Sequence, residues 1–188
     1  MMKIGVISDT HGCRDTWQHV MEKFFFDVDM ILHAGDILYH GPRNAIPAEY
    51  QPKQLAEDMN ACPVPIISVR GNCDAEVDDM VLEFPVLQEY QHLHMGDVQI
   101  LMNHGHHLDD AAKVTAAKQA GANLVITGHT HDAKLTKTEN ILLLNPGSPG
   151  MTKRADQRST IAIIENRTVT IYDIHSGEAI LTEMIAQN

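Results

Sequence analysis

Short apolar runs alternate with amphipathic stretches in the first part of the chain. Residues 3–8 form a β-rich run with no helical period, which predicts a buried strand. Over residues 14–26 the apolar positions Trp17, Val20, Met21, Phe24 and Phe25 recur at the i, i+3, i+4 spacing of an amphipathic helix. A second strand is predicted over 29–33, a second helix over 53–62 and a third strand over 65–69. Between them, residues 38–52 carry Gly41 and prolines 42, 47 and 52 and predict a loop. A connection of that length suggests a functional or lid role.

Strand, helix, strand, helix, strand in that order argues a parallel βαβ core. The second half is patterned differently. Segments 82–89, 97–103, 122–127, 133–138, 140–145, 159–165, 168–174 and 178–185 are strand-like, and one helix over 109–120 interrupts them. So many strands exceed one doubly wound sheet. The expectation is two sheets packed face to face with helices outside, in one domain spanning residues 1–188. No internal repeat, low-complexity stretch or linker divides the pattern.

Composition narrows the class. Of 188 residues, 44% are hydrophobic and 21% charged, which argues against disorder. No apolar run reaches the ~18 residues of a membrane-spanning helix. The start of the chain lacks the core and flank of a secretory signal, so the cytoplasm is the expected compartment. Fourteen basic against 25 acidic residues give a net charge of −11. That balance disfavours non-specific adhesion to nucleic acid or anionic membranes. The three cysteines, Cys13, Cys62 and Cys73, lack Cys-x-x-Cys spacing, so neither a disulfide framework nor a zinc–thiolate site is expected.

The 12 histidines redirect attention to the strand ends. The first strand runs into Ser-Asp9-Thr-His11-Gly, the second into His-Ala-Gly-Asp36 and the third into Arg-Gly-Asn72-Cys-Asp74. Later strands run into Asn-His104-Gly-His106 and Gly-His129-Thr-His131. In α/β sheets, ligands collect at the carboxyl ends of strands, so five such loops can converge on one edge. Asp9, His11, Asp36, Asn72, His104, His129 and His131 make two carboxylates, one amide oxygen and four imidazoles. That mixture suits manganese, iron, zinc, nickel or cobalt. Seven ligands exceed one tetrahedral ion and fit two ions sharing a carboxylate. Two ions ~3.5–4 Å apart would activate a hydroxide and clamp phosphoryl oxygens during in-line displacement.

Each motif alone is weak, since Gly-Asn or Gly-Asp after a strand is commonly turn chemistry. Five together are specific. His19, His33, His92, His94 and His175 are read as structural or surface histidines, and His40 and His107 are left undecided, solvent exposure being the commoner case.

As a set, Asp9-x-His11, Gly35-Asp36, Gly71-Asn72, His104-Gly-His106 and Gly128-His129-x-His131 resemble the calcineurin-like metallophosphoesterase superfamily. The likeness runs from residue 3 to about residue 149. Asn145-Pro-Gly-Ser148 and Gly71-Asn-Cys-Asp74 are similar to its small bacterial phosphodiesterases. The resemblance implies an α/β/β/α four-layer sandwich of two mixed sheets. It implies one metal held by Asp9, His11, Asp36 and His131, and another by Asp36, Asn72, His104 and His129. Asp36 would bridge, a bridging hydroxide would attack, and Asp36, Asn72 and His104 would be the catalytic residues. Asp74 and His106 are placed behind the ligands, orienting imidazoles through their outer nitrogens.

Cys73 departs from the wider superfamily, many of whose members have a histidine there to protonate the leaving group. A neutral thiol is a poor acid, so aryl or other acidic leaving groups should be favoured, or His106 supplies the proton. Arg43, soon after Asp36, is a candidate phosphate-binding residue. Lys153 and Arg158 are read as solvated charges, and Arg154 is left open.

The expected activity is a dinuclear, metal-dependent phosphodiesterase, manganese being favoured, acting on a small phosphodiester. Two alternatives stand beside it. One is a non-catalytic scaffold, as in a eukaryotic retromer subunit of similar fold that has lost catalytic histidines. The other is a nucleotide, phosphoprotein or nucleic-acid phosphoesterase. The complete ligand set speaks against the scaffold. An acidic chain with 5% aromatic residues and no stacking platform speaks against a nuclease. A homodimer or homotetramer is plausible by resemblance.

Overall fold

The computed structural model describes residues 2–187. Among these residues eleven strands form two sheets, and three hydrophobic layers separate four tiers of secondary structure. The first sheet runs β11-β10-β9-β1-β2-β3, with β1 Lys3–Ile7, β2 Met30–His33, β3 Ile66–Ser68, β9 Thr160–Glu165, β10 Thr168–Asp173 and β11 Ala179–Met184. The second runs β4-β5-β6-β8-β7, with β4 Tyr90–Met95, β5 Val98–Asn103, β6 Leu124–Ile126, β7 Lys134–Thr138 and β8 Ile141–Asn145. Each sheet is mixed. Strands β1, β2 and β3 are parallel, as are β5, β6 and β8, and the outer strands pair antiparallel.

Alternation along the strands decides what each tier buries. Val6, Leu32 and Ile164 of the first sheet meet Ile100, Ile126 and Leu144 of the second in the central layer. The opposite face of the first sheet, with Ile7, Ile31 and Ile161, packs on Trp17 and Val20 of α1 (Arg14–Lys23) and on Leu55 and Met59 of α2 (Pro52–Asn60). The outer face of the second sheet, with Leu101, Val125 and Leu143, packs on Val114 and Ala117 of α4 (Asp110–Ala120). A short α3 covers Glu76–Asp79. Each fully buried aliphatic side chain contributes ~2 kcal/mol, so the three layers supply the driving force for this architecture. The four-layer sandwich expected from sequence is the observed fold.

Helix ends follow local chemistry. Asp109 caps α4 by accepting from the Ala112 N–H (2.8 Å), and Gly121 closes it at φ 66°. The first helix stops at Lys23 rather than continuing to 26, because Phe25 turns inward to full burial while Phe26 points out.

One expectation fails. Residues 82–89 form no strand. Leu82 and Val86 are buried beside α1 and α2, but Pro85 has no N–H to give a ladder. The strand lies next along the chain, at β4, and joins β5 through the two-residue turn Gly96-Asp97. Its outward positions Tyr90, His92 and His94 are polar-tipped and exposed, which hid the alternation.

Candidate metal centre

Six parallel strands, three from each sheet, end on the same side of the molecule. The loop after β1 carries Asp9 and His11, that after β2 Asp36, that after β3 Asn72, that after β5 His104 and that after β6 His129 and His131. The turn after β8 lies beneath them.

These loops are held in a demanding conformation. Asp9, His11, Asp36, His129 and His131 all sit in the left-handed region, at φ 55°, 45°, 58°, 72° and 57°. Each such residue costs ~1–2 kcal/mol when it is not glycine. Hydrogen bonds between loops oppose that cost. The N–H groups of Asp9 and His11 donate to Gly35 O (2.9 Å) and Asp36 O (3.1 Å), and Gly128 N–H donates to His104 O (3.0 Å). The His129 N–H donates to Asp9 Oδ2 (2.9 Å), and Ser148 Oγ donates to the Asp9 carbonyl (2.8 Å). Two glycines permit the close approach: a Cβ on Gly71 would collide with Asp36, and one on Gly128 with Ser8 Oγ.

The side chains converge. His131 Nε2 lies 3.3 Å from Asp9 Oδ1 and 3.2 Å from His11 Nε2. Asp36 Oδ2 stands 3.6 Å from His11 Nε2 and 3.4 Å from His104 Nε2, between the two halves of the cluster. Asn72 Oδ1 is 3.2 Å from His104 Nε2. Among the described residues three groups have donor atoms close enough to share one ion: Asp9–His11–His131, Asp9–Asp36–His104 and His11–Asp36–Cys73. His129 stands outside these groups, its ring centroid 5.3 Å from that of His104.

What lies behind the imidazoles corrects the sequence reading. Their outer nitrogens donate to backbone carbonyls: His11 Nδ1 to Tyr39 O (2.6 Å), His104 Nδ1 to Ala34 O (2.7 Å) and His131 Nδ1 to Met151 O (2.6 Å). Each ring therefore presents Nε2 to the centre. Asp74 orients no imidazole. Its Oδ2 accepts from Asp36 N–H (2.8 Å) and Gly71 N–H (2.6 Å), and its Oδ1 from Ile37 N–H (2.8 Å). It ties the loop after β2 to the loop after β3. His106 does not orient a ligand either. Its Nδ1 has no hydrogen-bond partner.

The electrostatics fit a cation. Burial pushes the Asp9 carboxyl up to about 6, reinforced by the Asp36 charge, with His104 opposing. Burial also penalises the Asp36 charge, but the hydrogen bond and charge of His104 and the Cys73 N–H hold it well below the usual carboxylate range. Burial opposes a charge on His104, yet Asp36 and Asp9 outweigh it and lift the ring to about 9. Asp9 Oδ1 is buried without a hydrogen-bond partner, at the point where three imidazole nitrogens face it. An orphaned carboxylate oxygen facing Nε2 atoms is a donor set built for a divalent ion.

At Cys73, burial and then the Asp36 charge push the thiol up to about 12. His106 is pushed down to about 4 by burial and the neighbouring His104. Neither is poised to deliver a proton at neutral pH.

The open side of the centre is lined by Arg43 and Lys153, among others. Lys153, expected to be a solvated charge, therefore faces the cleft. Arg154 instead braces its turn through Asp156 (2.8 Å) and Ala133 O (3.0 Å). Sequence reasoning gave no role to Ser8, whose Oγ donates to Asp9 Oδ2 (2.7 Å), and used Asn145 only as part of the family likeness, though its Nδ2 donates to Gly128 O (2.7 Å).

This fold with this cluster at its strand ends defines a metallophosphoesterase. The chain belongs to the calcineurin-like phosphoesterase superfamily, whose domain model matches residues 2–168. It is 33% identical to the phosphodiesterase YfcE of Escherichia coli K12 over 181 residues, 96% of each chain. A solved structure of Yfce, described as a phosphoesterase from E. coli, superposes with a TM-score of 0.88 at 29% identity, covering 98% of this chain and 100% of that one. The chain is also 27% identical to the probable metallophosphoesterase YsnB of Bacillus subtilis over 94% of each. Vps29 of Entamoeba histolytica in complex with zinc shares the fold, with a TM-score of 0.70 at 19% identity and full coverage of both chains.

Proposed function

We propose that this protein is a dinuclear metal-dependent phosphodiesterase acting on small phosphodiesters. The observation that carries the reading is the buried, unpartnered Asp9 Oδ1 faced by imidazoles whose outer nitrogens are fixed by carbonyls. Asp9, His11, Asp36 and His131 would hold one ion, and Asp36, Asn72, His104 and His129 the other, with Asp36 shared. When bound, two divalent cations, manganese being favoured, supply Lewis acidity toward water and the phosphoryl oxygens.

The chain's own groups do the rest. Left-handed backbone and carbonyl anchors hold the ligands still, so little reorganisation accompanies the reaction. Arg43 and Lys153 stand on the open side, where they orient the phosphate and offset charge that builds on its oxygens. Asn72, exposed at the rim, can turn its amide N–H toward a phosphoryl oxygen. Because Cys73 is held neutral and His106 is too weak a base to carry a proton at pH 7, good leaving groups are favoured. Relatives named phosphodiesterase support a diester as substrate.

All three cysteines are unpaired, which suits a reducing compartment, and we place the protein in the cytoplasm. No helix among the described residues is long and apolar enough to cross a membrane.

Hydrolysis of bis(p-nitrophenyl) phosphate by metal-stripped protein, with and without Mn²⁺, tests the reading. Turnover that appears only with metal is the expected result. Absence of both turnover and bound metal would refute it and leave the scaffold.

A further inference from the structure

Beside the metal centre, distinct from the cleft lined by Arg43, lies a recess of about 340 Å³. Asn72 and His104 are among its lining residues, so it adjoins the centre, within reach of an ester arm of a phosphate held there. Its lining includes Arg70, Glu89, Tyr90, Asn103 and His106.

Asn103 is the informative residue. It ends β5, is 4% exposed, and its Nδ2 has no hydrogen-bond partner. A buried amide left unpaired costs ~1–3 kcal/mol, and such groups in folded proteins call for an explanation. The Nδ1 of His106, on the same wall, is also buried and unpartnered. Two neighbouring orphans in one recess point to a ligand carrying hydrogen-bonding groups. Glu89 adds an exposed carboxylate acceptor and Arg70 a donor steadied by its Nε bond to Asp74 O (3.3 Å). The rings of His106 and His107, 3.8 Å apart, and of Tyr90 supply flat faces. Donors and acceptors set between flat faces match an arm bearing several hydroxyls. A hydrocarbon arm would leave Asn103 Nδ2 and His106 Nδ1 unmet.

We propose that this recess is a subsite for a polyhydroxylated ester arm of the substrate, of glycerol or sugar type, held chiefly by Asn103 and Glu89. The proposal rests on the phosphodiesterase reading and specifies its substrate class.

Two p-nitrophenyl diesters of phosphate, one glyceryl and one methyl, test it with the Mn²⁺-loaded protein. The wild type should favour the glyceryl diester at least tenfold in kcat/KM. Asn103→Leu, which keeps the shape and removes the donor, should bring that ratio close to one. Glu89→Ala, at an exposed position where folding is not at stake, should lower it severalfold. A wild-type ratio near one, or equal losses on both substrates in both variants, would overturn the subsite. If neither diester turns over, the phosphodiesterase reading fails, and calorimetric titration with glycerol phosphate and methyl phosphate decides the subsite separately. Tighter binding of glycerol phosphate that vanishes in Asn103→Leu upholds it, and equal affinities refute it.

Discussion

Asp74 carries three backbone hydrogen bonds and no direct part in the centre, so its replacement isolates the clamp that holds Asp36. In Asp74→Asn, the amide oxygen can keep the two bonds now made by Oδ2, to the N–H groups of Asp36 and Gly71. The amide nitrogen then faces the Ile37 N–H, donor against donor, where Oδ1 accepts at 2.8 Å. One bond to a charged acceptor is lost and one buried N–H is orphaned, together about 3 kcal/mol. For a chain of this size that lowers Tm by about 9 °C. In Asp74→Ala all three donors are orphaned, and the loss grows to about 5 kcal/mol. The second consequence falls on the site. Asp36 holds φ 58° against its own preference, and slackening the clamp lets it relax toward ordinary values and swing its carboxylate. Mn²⁺ affinity should fall at least tenfold in both variants. Urea unfolding of metal-stripped protein measures the first effect and equilibrium metal titration the second. An Asp74→Asn protein within 0.5 kcal/mol of wild type, with unchanged Mn²⁺ affinity, would refute the clamp.

Asp36→Asn should retain the Cys73 N–H bond through its amide oxygen yet lose bound metal, measured by elemental analysis, and lower turnover at least 100-fold. Lys153→Ala should raise KM for bis(p-nitrophenyl) phosphate several-fold with a small change in kcat, and an unchanged KM would return Lys153 to the surface. Cys73→His should improve turnover of diesters with poor leaving groups relative to aryl ones, if protonation limits the rate. His33 is buried, accepts from Gly35 N–H (3.2 Å) and donates to Thr10 Oγ1 (3.0 Å), and burial and the His104 charge push it down to about 3. Its folded value lies below the unfolded one, so its contribution is full above about pH 6.5 and is lost as pH falls toward 3. Chemical denaturation of metal-free protein between pH 6.5 and 4.5 should therefore show a decline from this group of up to ~1.4 kcal/mol per pH unit, which His33→Gln flattens.

The residues that bring the centre together were legible because period and chemistry coincide there: a short apolar run ends, and Asp, Asn or His follows within a few positions. The four tiers were legible for a similar reason, since strands buried on both faces read as continuous apolar runs. What stayed hidden depends on contacts across the sheets. Strand β4 escaped because its outward positions are Tyr90, His92 and His94, so exposure removed the apolar mark that names a strand. Nothing in the sequence near Asp74 says that it accepts from the loop after β2, 37 and 38 residues earlier. Lys153 reads as any surface lysine until its loop is seen to return against His131, whose carbonyl accepts the Lys153 N–H (3.0 Å).

The left-handed ligands tie these levels together. Five of the seven candidate ligands hold a conformation that their residue types resist, and all five lie within three residues of a glycine that fits where a Cβ would collide or at φ above 70°. A side chain at the end of an extended strand points to one face of the sheet or the other. Reversing φ at that residue turns the side chain off the pleat and lets adjacent loops aim at a common point. The strain is thus the local means by which scattered strand ends become one site. Its energy is drawn from the three hydrophobic layers, whose parallel strands fix where those ends lie.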